Sequence, residues 1–326
     1  MRLILNLASL FLRGTALMLA LMGAVAGLAC LGGAFSDRLD VFAHAAPIWL
    51  ASALAGLVLA LAVSREGERR ALAGIAATGI LSILILMAPE LLSTLRPQEK
   101  ATAGGKPLKL VQFNLWADNH EPEKTAAWIL KQNADVVITE ESGGAAWPVL
   151  TSLKKAYPYR ITCRARYGCD TRIFSRWPIV EQHGFYEDDN GLVGAWATLR
   201  HPDGDFTVVG NHFAWPIPAG RWQSQSRSLT QAVARFPKDS LIVTGDFNST
   251  PWSWSLRRQD KALGLTRRTR ALPSWPTGEF SRVTSAPFPI LPIDHVYAGK
   301  AWETVKVERG PVLGSDHRPI VVTLAR

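Results

Sequence analysis

The chain has 326 residues and a formal charge of +9, too long for one average domain and comfortable for two units. Residues 1–100 hold 8 Lys/Arg against 6 Asp/Glu, and the remainder 28 against 21, so most of the positive excess lies in the C-terminal two-thirds, where it suits a phosphate ester, a nucleic acid or an anionic lipid surface. With three cysteines, and beyond Cys163 and Cys169 no further Cys or paired His at ligand spacing, the sequence argues against a zinc site.

Three uncharged apolar runs fill the first hundred residues. Gly14–Phe35 has 22 residues, Val41–Ser64 has 24 and Ala71–Pro89 has 19, with apolar character resuming beyond Glu90 to Leu95. A helix needs about 20 apolar residues to cross a bilayer. Buried helices of a soluble core would show a polar face every turn, and these do not. Three transmembrane helices over 1–95 are therefore predicted. A cleaved signal peptide is the alternative for the first run, with Ala24 and Ala26 as a cleavage site, but two spans would remain. Arg2 and Arg13 precede the first span, and Arg65, Arg69 and Arg70 lie between the second and third, against Arg38 alone in the first loop. This bias puts the N-terminus and second loop inside and the C-terminal domain outside. Arg96, Lys100, Lys106 and Lys109 oppose it, ahead of a large domain where the rule weakens.

Residues 96–107 read as a polar, Pro- and Gly-containing linker, and 108–326 as one large domain. Strands are predicted at Leu108–Leu115, Asp135–Thr139, Thr171–Ser175, Gly194–Leu199, Phe206–His212, Leu241–Gly245, Ile293–Ala298 and Pro319–Leu324, and helices at Pro122–Gln132 and Gly220–Arg235. Strands and helices without strict alternation suggest stacked sheets covered by helices. Cys163 and Cys169, five residues apart around Gly168, are within disulfide reach if the chain turns there, which fits an oxidising compartment; two free thiols are the other reading.

The polar residues that matter stand at strand ends: Asn114, Glu141, His212, Asp246 with Asn248, Asp294 with His295, and Asp316 with His317. Singly, each reads as a turn or cap. Together, six strand-end sites converge on the residue types that bind a hard cation and move protons. Trp215, Trp252 and Trp254 follow these motifs and read as rim packing rather than as a platform for a base or a lipid.

Gly245-Asp246-Phe247-Asn248, Ile293-Asp294-His295 and Ser315-Asp316-His317-Arg318-Pro319, in this order, resemble the signature of the endonuclease/exonuclease/phosphatase superfamily, in a bacterial-type membrane-anchored form. Asn114 and Glu141 match its first two motifs, and Thr171–Ile179 resembles the strand after them. The resemblance covers essentially all of 108–326. It implies an α/β fold, a four-layer sandwich of two packed β-sheets flanked by helices. It implies a phosphodiester or phosphomonoester hydrolase, a nuclease or a phospholipid phosphodiesterase, dependent on Mg²⁺ with Mn²⁺ as a substitute. It further implies that Glu141, with Asn114 and Asp316, holds the metal; that Asp246 and Asn248 position water and phosphate; that His317 acts as acid/base, oriented by Asp294; and that His212 contacts a phosphate oxygen or assists proton transfer. Position 140 is Glu where the family usually has Gln, so Glu140 is an alternative ligand. Asp170-Thr171-Arg172 replaces a small, Gly- or Asn-rich stretch, which weakens a pure nuclease reading. The chain would be a multi-pass protein of a bacterial inner membrane with a periplasmic catalytic domain, its partners the substrate and the bilayer, with no obligate protein partner. A non-catalytic scaffold that kept the fold ranks below this, since the chemical residues are all present.

Overall fold

The computed structural model describes residues 1–95, 104–163, 170–185, 191–281 and 284–326. The chain divides into two compact units, Met1–Leu95 with Trp252–Arg257, and Arg96–Pro251 with Arg258–Arg326.

The first unit contains α1 (Arg2–Gly32), α2 (Asp37–His44), α3 (Ala46–Val63) and α4 (Glu66–Thr94). Three of them, α1, α3 and α4, are long and apolar enough to cross a membrane. They pack through small residues. An added Cβ on Gly23 of α1 would lie 2.6 Å from the Ala53 Cβ of α3, and one on Gly79 of α4 would lie 2.6 Å from the Gly23 carbonyl carbon. Such contacts let helix backbones approach where no hydrophobic force drives them together. Larger side chains point away, with Phe11, Val25, Val58 and Ile85 more than half exposed, a surface suited to lipid. Two sequence expectations shift. The apolar run from Val41 is divided at Ala45, between α2 and α3, and the charged stretch after Arg65 forms the first turn of α4 rather than a loop. Within this unit Asp40 is buried and accepts hydrogen bonds from the backbone N–H groups of Trp254 (2.8 Å) and Ser255 (2.7 Å), while the Trp252 indole donates to the Ala43 carbonyl at 2.7 Å.

The second unit contains, in chain order, β1 (Leu108–Asn114), α5 (Pro122–Lys131), β2 (Val136–Glu140), α6 (Trp147–Ala156), β3 (Tyr159–Thr162), β4 (Arg172–Ser175), β5 (Ile179–Gly184), β6 (Val193–Leu199), β7 (Phe206–His212), α7 (Arg221–Val233), β8 (Ile242–Asp246), α8 (Trp254–Leu263, whose first turn belongs to the first unit), β9 (Thr266–Arg267), β10 (Gly278–Ser281), β11 (Thr284–Ala286), β12 (Asp294–Ala298), β13 (Glu303–Arg309) and β14 (Ile320–Ala325). Two six-stranded sheets result, in the orders β13-β14-β1-β2-β4-β3 and β5-β6-β7-β8-β12-β9, with β10-β11 as a separate hairpin. The β1–β2 and β7–β8 pairs are parallel and the remaining pairs antiparallel. This is the predicted sandwich of two packed mixed sheets flanked by helices.

The core divides by strand alternation. Leu108 and Leu110 of β1, Val136 and Ile138 of β2, Val208 of β7, Ile242 of β8 and Val296 of β12 fill the space between the sheets. The alternate residues Val111, Phe113 and Val137 pack instead against Ala126 and Ile129 of α5 and Val149, Leu150 and Leu153 of α6. Each such Val, Leu or Ile contributes roughly 1.5–3 kcal/mol when fully buried, so the register is strongly specified. Cys163 is disulfide-bonded, and Cys169, the partner suggested by spacing, lies outside the described residues.

Candidate active site

Followed to one end of the sandwich, the inward-facing rows change character. In β1 the row Leu108, Leu110 continues as Gln112 and Asn114; in β2 Val136, Ile138 continues as Glu140; in β8 Ile242 continues as Thr244 and Asp246. His212 closes the row of β7, and Asp294 opens that of β12 opposite Asp246 in the antiparallel register. One physical rule, side chains alternating with period two, thus delivers an apolar core and then a polar cluster at its end.

Asp246 stands at the centre of the cluster. Its Oδ2 lies 3.7 Å from Nε2 of both His212 and His317. Its Oδ1 accepts the Asn248 backbone N–H at 2.8 Å. The Asn248 amide donates to the Phe213 carbonyl at 2.9 Å and towards Asp246 at 3.3 Å. His317 is buried, its Nδ1 2.8 Å from Asp294 Oδ2, and the other Asp294 oxygen accepts from Gln112 Nε2 at 2.7 Å. Gln112 Nε2 also donates to Glu140 Oε2 at 3.0 Å. On the far side, His212 Nδ1 lies 3.3 Å from Asp170 Oδ2, and its Nε2 lies 3.7 Å from Glu141 Oε1.

Glu140 and Glu141 are separated by backbone conformation. Glu140 ends the strand facing inward and is fully buried beside Gln112. Plain alternation would turn Glu141 to the helix side. A left-handed backbone (φ 47°) turns it back, so that Asn114 Nδ2 donates to it at 2.9 Å. Asn248 also has φ 47°. Such conformations cost about 1–3 kcal/mol each and persist where the surroundings hold them. Asn114 Nδ2 reaches Asp246 at 3.1 Å as well, while its Oδ1 accepts the Trp116 N–H at 3.0 Å. That bond fixes the amide orientation, so Asn114 presents a donor to the two carboxylates. Asp316 stands one step away, its Oδ2 accepting the Trp275 indole N–H at 2.9 Å.

The charges are unequal in kind. Burial opposes protonation of both histidines, but the carboxylates outweigh it. Asp170, Asp246 and Glu141 lift His212 to about 10, and Asp294 and Asp246 hold His317 well above the usual histidine range. Burial raises Asp246 to about 6, with the nearby histidines offsetting part of the rise. Burial also raises Asp294, but the His317 imidazolium and its hydrogen bond bring it below the usual carboxylate range. Glu140 is pushed well above its ordinary value by burial and by Asp294.

Glu141, His212 and Asp246 offer ligand atoms within 4.8 Å of one another, as do Asp246, Asp294 and His317. Most of these donors are carboxylate oxygens, the kind that a hard cation such as Mg²⁺ prefers. The residues present therefore fit such an ion.

The structure brings Asn114, Glu141, His212, Asp246, Asn248, Asp294 and His317 into one cluster, with Asp316 at its edge. His295 lies elsewhere, its Nε2 2.9 Å from the Ser249 carbonyl oxygen in the buried layer behind. Asp170 and Gln112 were not among the predicted site residues. Asp170 precedes β4, which runs antiparallel to β2, so the start of that strand lies at the site end. Gln112 was detectable as a polar residue in an otherwise apolar inward row. Of the three tryptophans after the motifs, Trp252 is buried and Trp254 donates to the Cys30 carbonyl at 2.9 Å. Trp215 is 56% exposed and meets Trp275 edge-on at 5.4 Å. The rim beside Asp316 is thus aromatic, with Trp275 as a partner of Trp215 that the sequence did not suggest.

The profile of the Endonuclease/Exonuclease/phosphatase family matches residues 111–317. Similar solved structures include SmcL, at 17% identity and TM-score 0.55, covering 68% of this chain and 99% of that one. A Staphylococcus aureus beta toxin mutant with bound magnesium ions is 18% identical over 68% of this chain and 100% of that one, with TM-score 0.50. The human Nocturnin catalytic domain with bound sulfate is 17% identical over 69% and 96%, with TM-score 0.51. At these identities the likeness is one of fold. No curated protein matches the chain significantly.

Proposed function

Because this chain belongs to the endonuclease/exonuclease/phosphatase family, we propose that it is a membrane-anchored, Mg²⁺-dependent hydrolase of phosphodiester or phosphomonoester bonds. Residues 1–95 are the anchor, 96–107 the linker and 108–326 the catalytic domain, facing the periplasm of a bacterial inner membrane. The observation that carries the reading is the pair of imidazole Nε2 atoms on either side of Asp246 Oδ2, each ring held from behind by a carboxylate.

Water attacks phosphorus in line with the leaving oxygen. Asp246, near pKa 6, is ionised at neutral pH and accepts the proton of that water. Asp294 and Asp246 favour the protonated form of His317, which gives Nδ1–H to Asp294 and in that form delivers the Nε2 proton to the leaving oxygen. His212, charged against Asp170, offsets negative charge on the phosphoryl oxygens. Asn248 and Asn114 hold the Asp246 carboxylate in place. Glu141 would hold Mg²⁺, with Asp316 as the next carboxylate and Asn114 orienting Glu141. The ion supplies Lewis-acid polarisation of the phosphoryl group, and Mn²⁺ would serve in its place. The magnesium bound by the beta toxin of similar fold supports this choice of ion.

The full chain in detergent, with Mg²⁺ or EDTA, is assayed against plasmid DNA, RNA, phosphatidylcholine and sphingomyelin liposomes, and an aryl phosphodiester. EDTA-sensitive cleavage that disappears in His317→Ala supports the reading, and the substrate cleaved separates a nuclease from a phospholipid phosphodiesterase. A folded chain that cleaves none of them with Mg²⁺ or Mn²⁺ refutes it.

A further inference from the structure

A second polar cluster closes the opposite end of the same sandwich. His201 follows β6 in the hairpin to β7 and is 97% buried. In the β6–β7 ladder Leu199 pairs with Phe206 and Val193 with His212. Six residues of strand therefore separate the two ends, roughly 20 Å at the rise of a β-strand.

The His201 tautomer follows from its neighbours. Nδ1 accepts the Asp203 backbone N–H at 3.1 Å, so the hydrogen of the neutral ring sits on Nε2. Burial and the Arg326 guanidinium both lower its tendency to protonate. That Nε2–H is buried without a partner. The Trp177 indole N–H, and Nε and Nη2 of Arg326, are also buried and unpartnered. These three side chains share one aromatic nest. The His201 ring lies 5.0 Å from Trp177, 6.0 Å from Phe206 and 6.4 Å from Trp302. The Arg326 guanidinium lies 4.6 Å from Trp302 and 5.6 Å from Phe206. Lys106 Nζ adds a positive charge 4.7 Å over Trp177. Asp203 and Asp205 attract the Arg326 charge, and Asp203 and Asp135 that of a protonated His201, yet none of them accepts a hydrogen bond from the four unpartnered donors. Asp203 Oδ2 accepts the Lys106 backbone N–H at 2.9 Å, and Asp205 faces Arg200 at 4.0 Å.

All four unpartnered atoms are donors. A buried donor without an acceptor is costly. One water accepts two hydrogen bonds and cannot satisfy four, whereas a phosphate offers four acceptor oxygens, two of which match the guanidinium fork. We propose that Trp177, His201 and Arg326, with Lys106 at the rim, form a binding site for a phosphate oxyanion, separate from the active site. Free phosphate and a lipid phosphate share this chemistry.

The test is calorimetric titration of inorganic phosphate into the full chain in detergent with EDTA. Asp246→Asn/His317→Ala serves as background, so that phosphate at the active site does not contribute. The expected result is one phosphate per chain in that background, weakened roughly ten-fold or more by His201→Phe and by Arg326→Met, each removing a donor to a charged group. On the otherwise wild-type chain both substitutions leave turnover unchanged. No phosphate bound in the background variant, or binding indifferent to both substitutions, overturns the proposal and leaves the donors to ordered water. His201→Phe retains the ring in the nest, and should it fail to fold, Arg326→Met and Lys106→Met decide. Repeating the titration in nanodiscs of phosphatidylcholine, with and without phosphatidylglycerol, identifies the source. Competition by the anionic lipid indicates a lipid phosphate, and its absence indicates the free ion, the site standing in either case.

Discussion

Replacing Gly245 by Ala tests whether the active site depends on the close approach of β7 and β8. Gly245 has φ +147°, and an added Cβ would lie 1.8 Å from the Asn211 carbonyl oxygen and 2.8 Å from its carbon. The two residues are paired in the parallel ladder, and their successors His212 and Asp246 are the next pair. No rotamer relieves the overlap, because a Cβ has none. The strands must separate by roughly 1 Å or more, and a misplacement of that size costs about 100-fold in rate. The backbone conformation adds about 1–3 kcal/mol of strain for any residue but glycine. At roughly 2–4 °C of melting temperature per kcal/mol for a domain of this size, a fall of several degrees accompanies the loss. Steady-state hydrolysis of the substrate found in the panel and a thermal melt measure both. A Gly245→Ala protein with wild-type kcat/KM and an unchanged melting temperature would show that the approach of the strands does not position the site.

Gln112→Met removes the donor shared by Asp294 and Glu140. A hydrogen bond to a charged group is worth about 1.5–3 kcal/mol, so kcat should fall roughly 10- to 100-fold with KM little changed; an equal rise in KM would contradict a role in orienting His317. Burial and Asp294 favour the protonated form of Glu140, so Glu140→Gln, its neutral isostere, should retain most activity, whereas Glu141→Gln should lose the response to Mg²⁺ in a metal titration. Asp170→Asn takes away the main partner that holds His212 near pKa 10, so the alkaline limit of the pH–rate profile should move towards neutrality. Asp246 has a folded pKa of about 6 against an ordinary value of 3.8. The folded state binds this proton more tightly, so its contribution is fully present below about pH 4 and is lost as pH rises through 6. In EDTA the difference amounts to roughly 3 kcal/mol at most. Denaturant titrations across that range should show the decline in the wild type and not in Asp246→Asn.

The sequence made the inward-facing strands legible and left the edges obscure. Leu108–Asn114, Phe206–His212 and Ile320–Ala325 were found because burial on both faces leaves an apolar record. Ile179–Gly184 and Glu303–Arg309 were missed because they are edge strands whose residues are largely exposed, so nothing in their pattern separates them from loops. Helix Trp254–Leu263 was missed for a related reason, its run Arg257-Arg258-Gln259-Asp260-Lys261 being polar. In the site, residues at the C-terminal ends of strands were recognised readily. Asp170 was not, because its place depends on the direction in which β4 runs, a fact of sheet topology. The side to which Glu141 turns depends on its own left-handed backbone, which no composition rule foretells for glutamate.

The continuity of core and site along the same strand faces has an evolutionary consequence. A one-residue slip in β1, β2 or β8 would turn the polar cluster outward and the leucines and valines with it. Errors of register are therefore eliminated as misfolding before they can be tested as altered sites. The chemistry is inherited with the packing, and new specificities must arise beyond the strand ends, in segments such as the one carrying Trp215, which can diverge without disturbing either.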